Sequence, residues 1–109
     1  MKGGRAHASV PNDLLRQARL ALRSPSGSGR VLSRQELAEA VNASVYAQTG
    51  RCCHLDAGYI GKLERGETRW PLAHYRAGLR AALGADTDAD LGLFVIYGTR
   101  RDGPSGGAG

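Results

Sequence analysis

Asp56-Ala57-Gly58-Tyr59-Ile60-Gly61-Lys62-Leu63-Glu64-Arg65-Gly66 has two unlike faces. Placed at about 100° per residue, it reads as a short helix from Ala57 to Arg65, with Asp56 as its cap. Tyr59, Ile60, Leu63 and Glu64 share one face, and Gly58, Gly61, Lys62 and Arg65 form the opposite stripe. A surface helix usually covers its outer face with long polar side chains. Two glycines there each cost roughly 1 kcal/mol of helix propensity relative to Ala. They let the backbone come close to something, and the neighbouring cations point to an anionic partner. A helix lying in the major groove of DNA has both needs.

The preceding segment extends this reading. Ser33-Arg34-Gln35-Glu36 has the Ser-x-x-Glu spacing of a capping box, in which hydroxyl and carboxylate satisfy reciprocal backbone donors at a helix start. Leu37, Ala38, Val41 and Val45 follow at helical spacing, so a helix is expected over Arg34–Gln48. The residues Leu32-Ser33-Arg34-Gln35-Glu36-Leu37-Ala38, Tyr59-Ile60-x-Lys62-Leu63-Glu64-Arg65-Gly66-Glu67 and Trp70-Pro71 together resemble the helix-turn-helix of the phage-repressor/Cro-like (xenobiotic-response-element type) family. The run Tyr59–Pro71 is especially similar to the amino-terminal domain of actinobacterial regulators of this type. The resemblance covers residues 12–95. Its motifs are specific as a set and weak singly.

The resemblance implies an all-α fold, a five-helix bundle of lambda-repressor-like type, acting as a sequence-specific DNA-binding transcription regulator. Residues 57–65 would be the recognition helix. It also implies an ion pair between Glu64 and an Arg on the first helix, where Arg19 occupies the matching place. The departure lies between the two motif helices. Family members join them by a turn of a few residues, whereas here the second helix is extended and followed by a loop at Gly50–Leu55.

The remaining elements follow from caps and apolar spacing. Asn12 caps a first helix over Asp13–Arg23, with Leu14, Leu15, Ala18 and Leu22 inward. Ser24–Arg30 is a flexible loop by composition, longer than the family's usual connection. A fourth helix is expected over Leu72–Leu83, with Leu72, Tyr75, Leu79 and Leu83 inward, Arg76 and Arg80 outward, Pro71 before it and Gly84 after it. Thr87-Asp88-Ala89-Asp90 is a capping box using Asp for Glu, and opens a fifth helix over Asp88–Val95. Residues 1–11 and 98–109 are expected to be disordered, leaving one domain over 12–97.

Charge suits the same partner. The chain carries a net +5 with a pI near 9.8. Its cations are 13 Arg against 2 Lys, and planar guanidinium forks favour phosphate. A GC-rich coding sequence would equally favour Arg, Ala and Gly. There is no apolar run of the ~18 residues a membrane helix needs, and no secretory h-region. A cytoplasmic protein is expected.

The candidate DNA contacts are Arg34, Ala57, Gly58, Tyr59, Gly61, Lys62, Arg65 and Arg69. Lys62 is assigned to a base edge, guanine O6/N7, and Arg34, Arg65 and Arg69 to phosphates. Ala57 and Gly58 offer few hydrogen-bonding groups, so direct readout is sparse and shape readout is expected to share the work. Tyr59 either reaches the DNA backbone or packs in the core. Trp70 is expected to pack the corner between the third and fourth helices rather than donate to a phosphate.

Cys52-Cys53-His54 lacks the second ligand cluster that zinc requires, so neither metal nor cofactor is expected. No nucleophile–base or carboxylate pair sits at a recognisable site, and no enzyme is expected. Leu91–Tyr97 is dense in apolar residues; it folds back on the bundle, makes a homodimer contact, or begins a connection to a larger domain. The rival reading from another class is a protein-interaction module, an antagonist that keeps the bundle without binding DNA.

Overall fold

The computed structural model describes residues 10–95. The expected disordered ends fall almost wholly outside them. In chain order come α1 (Asp13–Leu20), α2 (Arg34–Thr49), α3 (Ala57–Glu64), α4 (Ala73–Leu83) and a single 3₁₀ turn, Ala89–Leu91. The described residues are therefore all-α, apart from an isolated antiparallel bridge between Arg23 and Val31.

The caps explain most boundaries. Ser33 and Glu36 form the reciprocal box, Glu36 N donating to Ser33 Oγ and Ser33 N to Glu36 Oε1, both at 3.0 Å. Asp56 Oδ1 accepts from Tyr59 N at 2.9 Å, fixing the start of α3. The extension of α2 is present: the helix continues to Thr49, and Gly50 ends it in the left-handed conformation. α1 stops at Leu20, short of the expected Arg23, because the chain there turns into the bridge; Leu32 N donates to Leu22 O at 2.9 Å.

The core is Leu15, Leu37, Ala38, Val41, Val45, Ile60, Leu63 and Leu79, closed by Leu32, Leu55, Leu91 and Leu93. α2 is its centre and packs on both α3 and α4. Gly78 lets α4 approach α2: a Cβ there would lie 2.9 Å from Val41 Cγ1 and 3.3 Å from the Val41 carbonyl oxygen. Two residues expected inward are not. Leu14 and Leu72 are 57% and 59% exposed, since α1 turns its Leu15–Arg19 stripe to the core and Leu72 is the cap residue preceding α4 rather than part of it.

The expected fifth helix is one turn long. Its capping box forms, Asp90 N donating to Thr87 Oγ1 and Thr87 N to Asp90 Oδ2, both at 3.1 Å. Gly92 then ends it in the left-handed conformation, its N–H donating to Ala89 O at 3.0 Å, and buried Asn12 binds the carbonyls at that end. Its Nδ2 donates to Leu91 O at 2.9 Å and to Gly92 O at 3.3 Å. Gly92 adopts φ +67°, and a Cβ there would sit 2.2 Å from Asn12 Oδ1. Arg76 and Arg80, expected to face outward, both bond Asp88 at the start of this turn. They hold it against α4.

Candidate nucleic-acid interface

α3 turns Ile60, Leu63 and Glu64 inward and leaves Gly58, Lys62 and Arg65 exposed. Around it lie three open concavities with shared walls. One is lined by Arg19, Arg23, Arg30, Arg34 and Ala57, among others, with a volume near 820 Å³. Another holds Arg16, Arg34, Glu64, Arg65 and Glu67. The last holds His54, Asp56, Gly58, Tyr59, Lys62 and Arg65. Arg34 belongs to the first two and Arg65 to the last two, so one surface runs from the α1–α2 loop across α3.

Glu64 organises the middle of this surface from beneath. Arg19 Nε donates to Glu64 Oε2 at 2.6 Å and Arg19 Nη2 to Oε1 at 3.2 Å, a bidentate pair with Arg19 itself buried. This is the ion pair that the resemblance implied. Arg19 Nη1 donates to the Leu32 carbonyl at 2.7 Å, closing the guanidinium's inner bonds. Burial alone would push the Glu64 carboxyl up, but the hydrogen bonds from Arg19 and Arg34, with their charges, outweigh it and hold it below the ordinary value. Glu64 therefore stays ionised as the counter-charge of both.

Arg34 is the second of those cations. Its Nε donates to Glu64 Oε1 at 3.0 Å, while its side chain remains 47% exposed. One edge of the guanidinium is anchored and the rest lines two concavities. Such an arrangement offers a fork of fixed position to an anion. Beside it, Gln35 Oε1 accepts from Ala57 N at 3.1 Å, tying the first amide of α3 to α2. Sequence reasoning did not single out Gln35; its place one residue beyond Arg34 was the available signal.

Several expected contact residues sit differently from the sequence picture. Gly61 is buried, not bare: the Arg65 guanidinium folds over it, and a Cβ would lie 2.9 Å from Arg65 Nη1. Arg65 Nε also pairs with Glu67 Oε2 at 2.5 Å. The i, i+4 spacing that put these residues on one stripe is the same spacing that lets the longer side chain cover the glycine. Backbone exposure on α3 is thereby concentrated at Gly58.

Arg69 is used elsewhere. Its Nε donates to Gly92 O at 3.0 Å and its Nη1 to Val10 O at 2.6 Å, and its guanidinium lies 4.6 Å from the Phe94 ring centroid. It clasps the two ends of the described chain together, and we reassign it from phosphate contact to that structural role. Tyr59 is half-buried and meets Tyr75 edge-on at 5.9 Å. Burial, and then Tyr75, raise its hydroxyl pKa. Trp70 stays 42% exposed under the Arg76 guanidinium, which stacks 3.8 Å from its ring centroid.

Cys52 is exposed and Cys53 partly buried, and among the described residues no group of three or more His, Cys, Asp or Glu side chains could hold a metal ion. No helix of the described residues is long and apolar enough to cross a membrane. No protein-family model matches this chain, and no curated protein or solved structure matches it at a significant level.

Proposed function

We propose that this chain is a sequence-specific DNA-binding transcription regulator whose α2 and α3 form a helix-turn-helix of the lambda-repressor-like type, with α3 in the major groove. The observation that carries the reading is the outer surface of α3: Gly58 and Lys62 exposed, flanked by Arg34 and Arg65, on a helix whose other face is locked into the core. Lys62 forms no ion pair among the described residues, and Glu67, near enough to feel its charge, is bonded to Arg65 instead. In this reading Lys62 meets a base edge, Ala57 and Gly58 admit close approach of the groove, and Arg34 and Arg65 hold phosphates. Arg65 exchanges Glu67 for a phosphate at little cost, because an exposed ion pair is worth only about 0–1 kcal/mol.

A second reading rests on the apolar surface. Trp70, Leu72, Phe94 and Val95 are exposed, which favours a protein contact, either with a second copy or with a different partner. Leu91 and Leu93 are buried in the monomer's own core. Of the segment expected to mediate dimerisation, that leaves Phe94 and Val95, with Ile96 and Tyr97 outside the described residues. Selection of duplexes from a random pool separates the readings. Enrichment of a shared sequence supports the regulator. A pool that stays random through repeated rounds contradicts it and favours the interaction module.

A further inference from the structure

The loop between α1 and α2, unremarkable by composition, is closed at its neck by main-chain bonds. Ser24 N donates to Arg30 O at 2.8 Å, and Arg23 and Val31 form the antiparallel bridge just inside it. Within the loop, Ser24 and Ser26 hydroxyls bond at 2.8 Å and Ser26 and Ser28 at 3.0 Å. Ser24 Oγ also donates to Glu36 Oε2 at 2.6 Å, fastening the loop to the first turn of α2. The loop is thus positioned relative to α2 and, through Gln35 and Ala57, relative to α3.

Its two sides differ in charge. One side, with Ser24, Ser26, Ser28, Glu36 and Glu39, is rich in hydroxyls and carboxylates. The other is the concavity near 820 Å³ where Arg23 and Arg30 stand with Arg34 and Ala57. Arg30 lines both sides. Five arginines of the described residues are held by carboxylates, Arg19 and Arg34 by Glu64, Arg65 by Glu67, Arg76 and Arg80 by Asp88, and Arg69 by carbonyl oxygens. Arg16 and Arg51 are unpaired among the described residues but do not line this concavity. Arg23 and Arg30 have no carboxylate within ion-pair distance. Arg23 makes one bond, Nη1 to the Gly29 carbonyl at 3.3 Å, and the Arg30 guanidinium makes no hydrogen bond among the described residues. Both are exposed.

We infer that Arg23 and Arg30 form a second phosphate clamp: the loop is an arm that grips the DNA backbone beside the strand positions held by Arg34. The inference rests on the DNA-binding reading above and adds contacts that the helix-turn-helix does not supply. Two unpaired guanidinium groups at the neck of a closed loop present charge without the ordering cost of a floppy segment. A polyanion is the partner that neutralises them together with Arg34, since the three line one open concavity. The contacts carry no sequence information; they add affinity and fix the orientation of the duplex.

Salt titrations on one selected and one random duplex test this, comparing wild type with Arg23→Ala/Arg30→Ala. The double variant is expected to give a log–log salt slope shallower by about 1.8 units, at about 0.9 per phosphate neutralised. The affinity loss should be alike on both duplexes. Ethylation interference on the selected duplex should also show the block relieved at phosphates on one flank. Arg30→Ala alone, which removes no hydrogen bond of the described fold, should lose about half of the slope change and guards against a folding defect. Wild-type binding with an unchanged slope and footprint in both variants overturns the clamp and leaves the regulator standing. A wild type without salt-dependent binding overturns both.

Discussion

Glu64 is a buried carboxylate shared by two arginines of unequal exposure, and its two bonds do different work. The bond to buried Arg19 ties α1 to α3; the bond to half-exposed Arg34 steadies a cation at the surface. Glu64→Ala should cost about 3–5 kcal/mol in urea unfolding, because it leaves Arg19 buried without its partner. The pH dependence has a definite sign. A carboxyl held below its ordinary value of 4.5 contributes stability that is complete above that value and is lost as pH falls through the lowered folded one. The stability gap between wild type and Glu64→Gln should therefore narrow on going from neutral pH to about pH 3. A gap that widens on acidification would mean that Glu64 is not the ionised partner. Lys62→Ala, at the exposed centre of α3, should cost about 1–3 kcal/mol mainly on a selected duplex, whereas Arg34→Ala should weaken selected and random DNA alike. Equal losses for Lys62→Ala on both duplexes would demote it to a phosphate contact.

Among the elements, those whose ends are set by their own residues were legible in the sequence. Ser33, Asp56, Gly50 and Gly84 sit at helix ends because a side-chain oxygen or a left-handed glycine acts within one turn. The fifth helix was not legible at its full length. Its start signal at Thr87–Asp90 is local and works, and its stop is Gly92, left-handed like Gly50 and Gly84 but set within a dense apolar run. Asn12, from the far end of the domain, then holds the Leu91 and Gly92 carbonyls. The same distinction divides the candidate site. Glu64's inward face was readable from periodicity. The cover over Gly61, the redeployment of Arg69 and the closure of the Ser24–Arg30 loop depend on side-chain reach and on partners distant in sequence. Close packing of α2 on α4 gives an expectation at this scale. Gly78→Ala gains about 1 kcal/mol of helix propensity, yet its methyl would press on Val41, including the rigid backbone oxygen. A net loss of stability is expected, since overpacking typically costs about 1–3 kcal/mol. A stabilised Gly78→Ala would show that the two helices separate easily.

For the whole molecule, the distribution of cations matters more than their number. A net charge of +5 would suit any anion. The ion pairs of the fold engage the arginines facing Asp88 and Glu64 and leave Lys62, Arg16, Arg23 and Arg30 without an ion pair around the α3 surface, with Arg51 unpaired beyond it. Under the proposed function, that asymmetry marks the face that would meet a polyanion. The exposed Trp70, Leu72, Phe94 and Val95 are not part of the concavities that face uses. Dimeric helix-turn-helix proteins meet half-sites about 34 Å apart, and this apolar surface is where a second copy would sit. Sedimentation at tens of micromolar should then show a dimer, and a strict monomer there would assign the apolar surface to another partner.

If the α3 face binds duplex DNA, it does so by replacing counterions, and the affinity of the wild-type chain for one duplex across a salt series reads this out. The expected result is a linear fall of log affinity with log salt, with a slope of about −0.9 for each phosphate held. It should be accompanied by a preference for the selected sequence that survives at every salt concentration. Binding that is absent, or indifferent to salt, would contradict the account and turn attention to a protein partner.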